Sequence, residues 1–496
     1  MRAYGARCDG ATDDAAAIQR AEAAAARAAT ASHPTVVRLP AGTCAVGAAV
    51  AWDSNVALDG AGMSSSTLRA LPGFTYDPSL VRTGPDGKQI GMVWLDGPTA
   101  TAAISGVTIE NLTFDPRAGT QHWSERKGIR LFYPVVCYMR PVQHLTIQHV
   151  AFELGANPSA AYVASGTEGA KAFVGVSLTH LGVDPKVPSH DLVFNDVHAH
   201  NGDGTFRLVL DGSTENGATS RLYNVTVTNE YDVVDMNYLE DDRFELDGGV
   251  APLNAPLKGA PLGDIANLTF RNVNVSVSPT VSIGSVNAIR LNAWSNAEIH
   301  HVAIDGVNYT GSPAGYVSET IVPMHDGTGS VTSMNGSDVQ GYLNDIEVSD
   351  VQARYTIGVG VTLGAPPGEP LSADVRNVVV HDAFVYGGVG LTFMTPKPSV
   401  HRANGPYDVT LTNIQVDGSP NNATQPSLNP IGIDVHSHLP SAGDGALLLE
   451  DVTATGFVQG LWIDPGYDGA VLDDVHWSNG ATIRSHVVLE DGSGPL

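Results

Sequence analysis

Val107-Thr108-Ile109-Glu110-Asn111-Leu112-Thr113-Phe114 alternates apolar and polar side chains, and at Asn111 the alternation slips by one residue. Successive side chains of a strand point to opposite faces, so the slip reads as two strands joined by a single bend. Asn and Asp tolerate the left-handed backbone such a bend requires. Ten further copies follow, centred on His149, Asp196, Asn224, Asn272, Gly306, Asp350, Asp382, Asn413, Asp451 and Asp474. They recur every 23 to 48 residues, too irregularly for a leucine-rich solenoid but as expected of coils whose loops vary in length. The expected fold is all-β, a single-stranded parallel β-helix, right-handed because parallel crossovers nearly always are.

The copies run from about Val107 to Trp477 without a linker-like tract, so the 496 residues read as one continuous domain. Residues 1–70 are its N-terminal cap and first coils, and residues 71–496 its body. A charged content of 16%, an aromatic content of 7% and 54 glycines suit a turn-rich chain whose core is stacked Val, Leu and Ile. The net charge of −26 repels polyanions, so neither a nucleic-acid partner nor an anionic membrane surface is expected. No apolar run reaches 18 residues, which argues against a membrane-spanning helix. The opening Met1-Arg2-Ala3-Tyr4-Gly5 shows no signal-peptide pattern. The three cysteines, Cys8, Cys44 and Cys137, show no metal-ligand spacing, and no cofactor is expected. Cys137 lies in the apolar run Tyr133-Pro134-Val135-Val136-Cys137-Tyr138, where burial is the default. Cys8 and Cys44 either pair across the cap in an oxidising compartment or remain two free thiols.

The first residues carry more specific information. Tyr4-Gly5-Ala6-Arg7-Cys8-Asp9-Gly10-Ala11-Thr12-Asp13-Asp14 leads into an Ala-rich helix, with Thr12 or Asp13 placed to cap it and His33-Pro34 to end it. Leu39-Pro40-Ala41-Gly42-Thr43 and Ser54-Asn55-Val56-Ala57-Leu58-Asp59-Gly60-Ala61-Gly62 follow. Together these resemble the opening of pectate-lyase superfamily proteins with a rhamnogalacturonase/epimerase-like domain, which carry YGAxGDGxTDDTxAIQ, LPAGTY and SNVxLxGAG. The resemblance covers roughly the first 70 residues. It implies a right-handed β-helix capped by a short helix, and a carbohydrate-active function. The DPHE tetrad of the mannuronan C5-epimerases and the GHG of the polygalacturonases are absent. Asp241-Asp242 and Ile289-Arg290-Leu291 are similar to the DD and RIK elements of the polygalacturonases, and without the third element catalytic residues do not transfer by motif.

After each bend the chain returns through a second short strand. Candidates are Gly128 to Phe132, Gly175 to Thr179, Arg207 to Asp211, Arg243 to Asp247, Ala288 to Asn292, Gly360 to Gly364, Gly390 to Met394, Gly432 to His436 and Gly460 to Asp464. Stacked on one another, these segments put Arg130, Ser177, Val209, Glu245 and Arg290 in one outward column, and Phe132, Thr179, Asp211, Asp247 and Asn292 in the next. Charge concentrates in three consecutive coils. Glu245, Asp247 and Asp211 are the candidate catalytic residues, and Arg207, Arg243, Arg290, Asn292 and Trp294 the candidate substrate-binding ones. Outward residues two apart on a strand are about 6.5–7 Å apart, which falls at the short end of the acid–base separation of an inverting hydrolase, about 6.5–9.5 Å. Asp211 above Asp247 would form a like-charge pair that keeps one proton for the leaving oxygen.

The expected function is a secreted glycoside hydrolase acting on a polysaccharide laid along the outward sheet, as a monomer or a homotrimer. A polysaccharide lyase, holding Ca²⁺ with Asp211, Glu245 and Asp247 and abstracting a proton with Arg290, is one alternative. A non-catalytic glycan-binding β-helix of the phage-tail kind is another. A solvated face laced with cross-coil ion pairs is the plainer reading of the charged patch. A different register also remains open, in which Tyr231 to Asn237 is the strand and Asp235 replaces Glu245 as the central acid. His300-His301 has no partner at metal-ligand spacing and reads as exposed turn histidines.

Overall fold

The computed structural model describes residues 1–75, 82–84, 87–95, 102–116, 129–155, 174–179, 181–182, 184–202, 204–211, 218–235, 240–250, 263–281, 285–293, 297–312, 321–324, 340–355, 372–386, 391–394, 408–419, 431–436, 445–463 and 466–496. Successive coils stack in parallel register into one eighteen-stranded sheet, and the return strands form a nine-stranded and a four-stranded sheet on the other side. The result is a right-handed parallel β-helix. Among the described residues the one α-helix is Ala15–Ala26.

The bends form columns. Ten of the eleven expected centres, together with Asn229, stack directly on one another with φ between 49° and 77°. Asn224 is the exception. It stands five residues before Asn229, in a second left-handed column made of Gly106, His144, Asp191, Asn224, Asn267, His301, Asp345 and Asn377. The alternation slips at both columns, so Asn224 and Asn229 present the same local pattern. Side chains tie the rungs together: Asn224 Nδ2 donates to Asp191 Oδ1 at 2.8 Å, and Asn272 Nδ2 to Asn229 Oδ1 at 3.1 Å.

Inside the solenoid the inward positions of each strand stack as aliphatic and aromatic columns. Phe206 lies over Phe244 with ring centroids 6.0 Å apart, and Phe244 meets Phe270 edge-on at 4.8 Å. All three are fully buried, and truncating any of them would cost about 3–5 kcal/mol. The cap helix starts one residue later than expected. Asp14 is its N-cap, but its carboxylate accepts the Arg7 and Cys8 amides, while Asp13 Oδ1 accepts those of Ala15 and Gly47. It also ends well before His33-Pro34, because Arg27 already closes its last turn. Gln19 exchanges hydrogen bonds with the backbone of Ala51, and Glu22 accepts the Asp53 amide, seating the helix on the end of the solenoid. Cys8 and Cys44 are disulfide-bonded within this cap, and Cys137 is a buried free thiol.

Strands occupy eight of the nine expected return segments: Ile129–Tyr138, Val174–Thr179, Gly204–Asp211, Glu240–Val250, Ser285–Ala293, Leu391–Met394, Ile431–His436 and Gln459–Ile463. The ninth, Gly360 to Gly364, lies outside the described residues. Glu240–Val250 is therefore a strand and not a loop, and Asp235 does not become the central acid. Its carboxylate instead bonds His200 Nε2 at 3.1 Å.

Candidate active site

Register decides which side chains meet. Glu245 pairs with Arg290 and Asp247 with Asn292, as the column alignment expects. One coil earlier the alignment is two residues out. Arg207, not Val209, stands beside Glu245, Val209 stands beside Asp247, and Asp211 is opposite Val250. The cause is the interior phenylalanine column. Phe206 stacks over Phe244, which fixes Arg207 next to Glu245 and makes Thr205 the counterpart of Arg243. Nearer the N-terminus, Val136 and Tyr138, rather than Arg130 and Phe132, stand beside Ser177 and Thr179. There a buried apolar cluster of Trp94, Tyr133, Val136, Tyr138 and Val174 stands apart from the main core.

The charged patch is a recess. The Arg207 and Glu245 side chains are 17% and 15% exposed, and those of Asp247, Arg290 and Asp242 are 12%, 8% and 6% exposed, so this is not a freely solvated face. Arg207 Nε lies 3.2 Å from Glu245 Oε2, and its NH2 lies 3.9 Å from Asp247 Oδ2. Asn292, itself buried, donates to Asp247 Oδ1 at 2.7 Å. Burial first, and the neighbouring Glu245 charge second, push the Asp247 carboxyl up to about 6, against the pull of Arg207, Asn292 and Arg290. Beside this pair, Asp242 accepts Arg290 NH1 at 2.9 Å and Asn287 Nδ2 at 2.6 Å.

The expected site residues therefore separate. Glu245, Asp247, Arg207, Arg290 and Asn292 come together. In the backbone register Val209, not Asp211, stands opposite Asp247 and Asp211 stands opposite Val250, so the column expected to hold the like-charge pair, or the Ca²⁺ carboxylates Asp211, Glu245 and Asp247, does not line up. Arg243 is fully buried and donates to the backbone oxygens of Asn201 and Gly202 at 3.1 and 2.7 Å, so it cannot hold a substrate. Trp294 lies outside the described residues. Asp242 was not among the expected site residues, although its pairing with Arg290 joins the two segments similar to DD and RIK.

One more acidic pair was not anticipated. Glu230 and Asp232 occupy inward positions of strand Ser220–Val234 and are almost wholly out of water. Thr205 Oγ1 donates to Asp232 Oδ1 at 2.8 Å. Burial raises both carboxyls, Glu230 well above the ordinary range, and the Arg243 charge opposes the rise in each. The tell-tale signal in the sequence was an acid at the two places where the flanking coils carry Val197 and Ala199, then Val273 and Val275.

Residues 1–238 match the sequence family described as "Rhamnogalacturonase A/epimerase, pectate lyase-like". No curated protein matches the chain in sequence. Similar solved structures include the surface protein and adhesin PfbA of Streptococcus pneumoniae, 12% identical over 100% of this chain and 98% of that one, with a TM-score of 0.40. The A-module of the mannuronan C-5 epimerase AlgE6 of Azotobacter vinelandii is 13% identical over 100% and 98% of the two chains, with a TM-score of 0.34. A hyperthermoactive exopolygalacturonase of Thermotoga maritima is 10% identical over 99% and 91%, with a TM-score of 0.30. Likenesses at this level say nothing of the reaction.

Proposed function

From the premise that this chain is a pectate-lyase-like parallel β-helix protein, we propose that it is a secreted glycoside hydrolase, with Asp247 as general acid and Glu245 as general base. The observation that carries this reading is the asymmetry of the pair. Asp247 is raised to about 6 and so holds a proton into mildly acidic solution, whereas Glu245 has the Arg207 guanidinium as its immediate counter-ion. Their places two residues apart on one strand leave about 6.5–7 Å between Cβ atoms, room for a water on the far side of a scissile bond. Asn292 holds the Asp247 carboxyl, and Arg207 bridges the two acids. In the reaction Asp247 gives its proton to the leaving glycosidic oxygen while Glu245 takes one from the attacking water.

Both arginines of the recess lie against carboxylates and the chain carries −26, which favours a neutral polysaccharide over a uronate polymer. A glycan panel read for new reducing ends and for the absorbance of unsaturated products tests the reaction class. Reducing ends without unsaturation, insensitive to chelator, are expected. Glu245→Gln and Asp247→Asn should each lower kcat by about 100-fold or more. Activity should fall as pH rises past about 6, where Asp247 loses its proton. Unsaturated, chelator-sensitive products would instead mean elimination, and full activity in both variants would remove these residues from the reaction.

A further inference from the structure

Strands Val142–Gly155 and Ser189–Asn201 lie side by side on the large sheet and set five histidines against carboxylates. The arrangements differ in kind. His149 Nδ1 and His198 Nε2 bond different oxygens of Asp196, at 2.7 and 3.0 Å. His200 stands between Glu153 and Asp235, one ring nitrogen to each. At the near end, by contrast, two rings converge on one atom: His144 Nδ1 is 3.1 Å and His190 Nδ1 2.8 Å from Asp191 Oδ2, and the three donor atoms all lie within 4.8 Å of one another.

We propose that His144, His190 and Asp191 bind a divalent transition-metal ion of the zinc class. Two ligand atoms about 2.0–2.1 Å from such an ion are roughly 3.0–3.4 Å apart, so the two nitrogen–oxygen edges are close to the required length already. Closing the third edge takes a rotation of the His144 ring, which is 58% exposed and has room to move. Imidazole nitrogen with one carboxylate oxygen selects zinc, cobalt, nickel or copper over calcium or magnesium. Three protein ligands leave a position for water or a further ligand.

The surroundings hold the donors in place. Asn224 Nδ2 donates to the other Asp191 oxygen at 2.8 Å, as outer-shell groups orient metal carboxylates. The His190 ring stacks on Tyr223 at 5.0 Å with 8° between planes, and meets His144 edge-on at 4.9 Å. His144 and Asp191 are themselves rungs of one left-handed column, so the backbone fixes their separation. The site is built on the large sheet and not on the sheet that carries Glu245 and Asp247, and it stands independently of the hydrolase reading.

Calorimetric titration of chelator-treated protein with ZnCl₂, repeated with CoCl₂ and followed by visible absorption, tests the proposal. One ion per chain at this site is expected, with a micromolar or tighter Kd and cobalt bands of low-coordinate nitrogen and oxygen ligation. His144→Asn and Asp191→Asn keep a residue that tolerates the left-handed bend and should weaken binding by at least tenfold. His300→Asn, at a histidine pair elsewhere on the sheet, should leave it unchanged. Absence of zinc binding, or binding that survives both His144→Asn and Asp191→Asn, would overturn the assignment.

Discussion

Glu230-Tyr231-Asp232 and Glu245-Leu246-Asp247 are the same three-residue pattern, fifteen residues apart in a single coil, yet they face opposite sides of the wall. The first pair points into the solenoid at positions that neighbouring coils fill with Val and Ala. Its cation is Arg243, sealed in with it, and its hydroxyl donor is Thr205. The second pair faces outward into a recess, where Arg207 and Asn292 come from the two adjacent coils. Both pairs have raised carboxyls, so a perturbed acid alone does not mark a reactive one. What separates them is exposure: Glu230 and Asp232 are sealed in with a buried counter-ion, while the Glu245 and Asp247 side chains keep 15% and 12% of their surface exposed, which is what the proposed acid and base roles require.

The contrast is most easily broken at the two arginines. Arg243→Met should destabilise the fold by about 3–5 kcal/mol in urea unfolding, because it leaves an acidic pair buried without its cation. Arg207→Met should instead lower activity with a far smaller stability change. Similar stability losses in both would make the two pairs equivalent.

Glu230→Gln tests the inner pair with the opposite sign. A carboxyl whose folded pKa lies above its unfolded value of about 4.5 binds its proton more tightly in the fold, so stability is lost as pH rises above 4.5 toward the folded pKa. Removing that acid should raise the unfolding free energy in urea more at pH 7 than at pH 4, by on the order of 1 kcal/mol per pH unit above 4.5, and leave activity intact. Loss of activity would move Glu230 into the reaction. The smallest stability effect is expected of Asp247→Asn, a gain of about 1–3 kcal/mol developing between pH 4 and 6 and none below, accompanied by loss of activity. A variant that gained nothing in stability would mean that Asp247 is not held against its burial.

The architecture was legible because the one-residue slip at Asn111 and its copies encodes a bend that only a few residue types accept. Eight return strands were legible for a related reason, since short runs of strict apolar alternation have few other solutions. The register between coils was not. A strand starting Arg-Leu-Val-Leu-Asp aligns equally well by its charges or by its apolar positions, and the stacking of Phe206 on Phe244 favoured the second. That one choice put Arg207 beside Glu245 and Val209, in place of Asp211, beside Asp247. Arg243 misled for a different reason: the alternation places it outward, yet its side chain is fully buried and donates to the backbone oxygens of Asn201 and Gly202.

The two left-handed columns stand five residues apart in all eight coils that carry both, from Gly106 and Asn111 to Asn377 and Asp382. At the level of the gene this divides the chain into two kinds of segment. A single inserted or deleted codon within one of those five-residue intervals would throw every following side chain of that strand onto the wrong face. The same change between coils would only lengthen or shorten a loop, at little entropic expense. A scan of one-codon insertions should therefore return a periodic record of tolerance along the sequence, from which the coils could be counted without any coordinates.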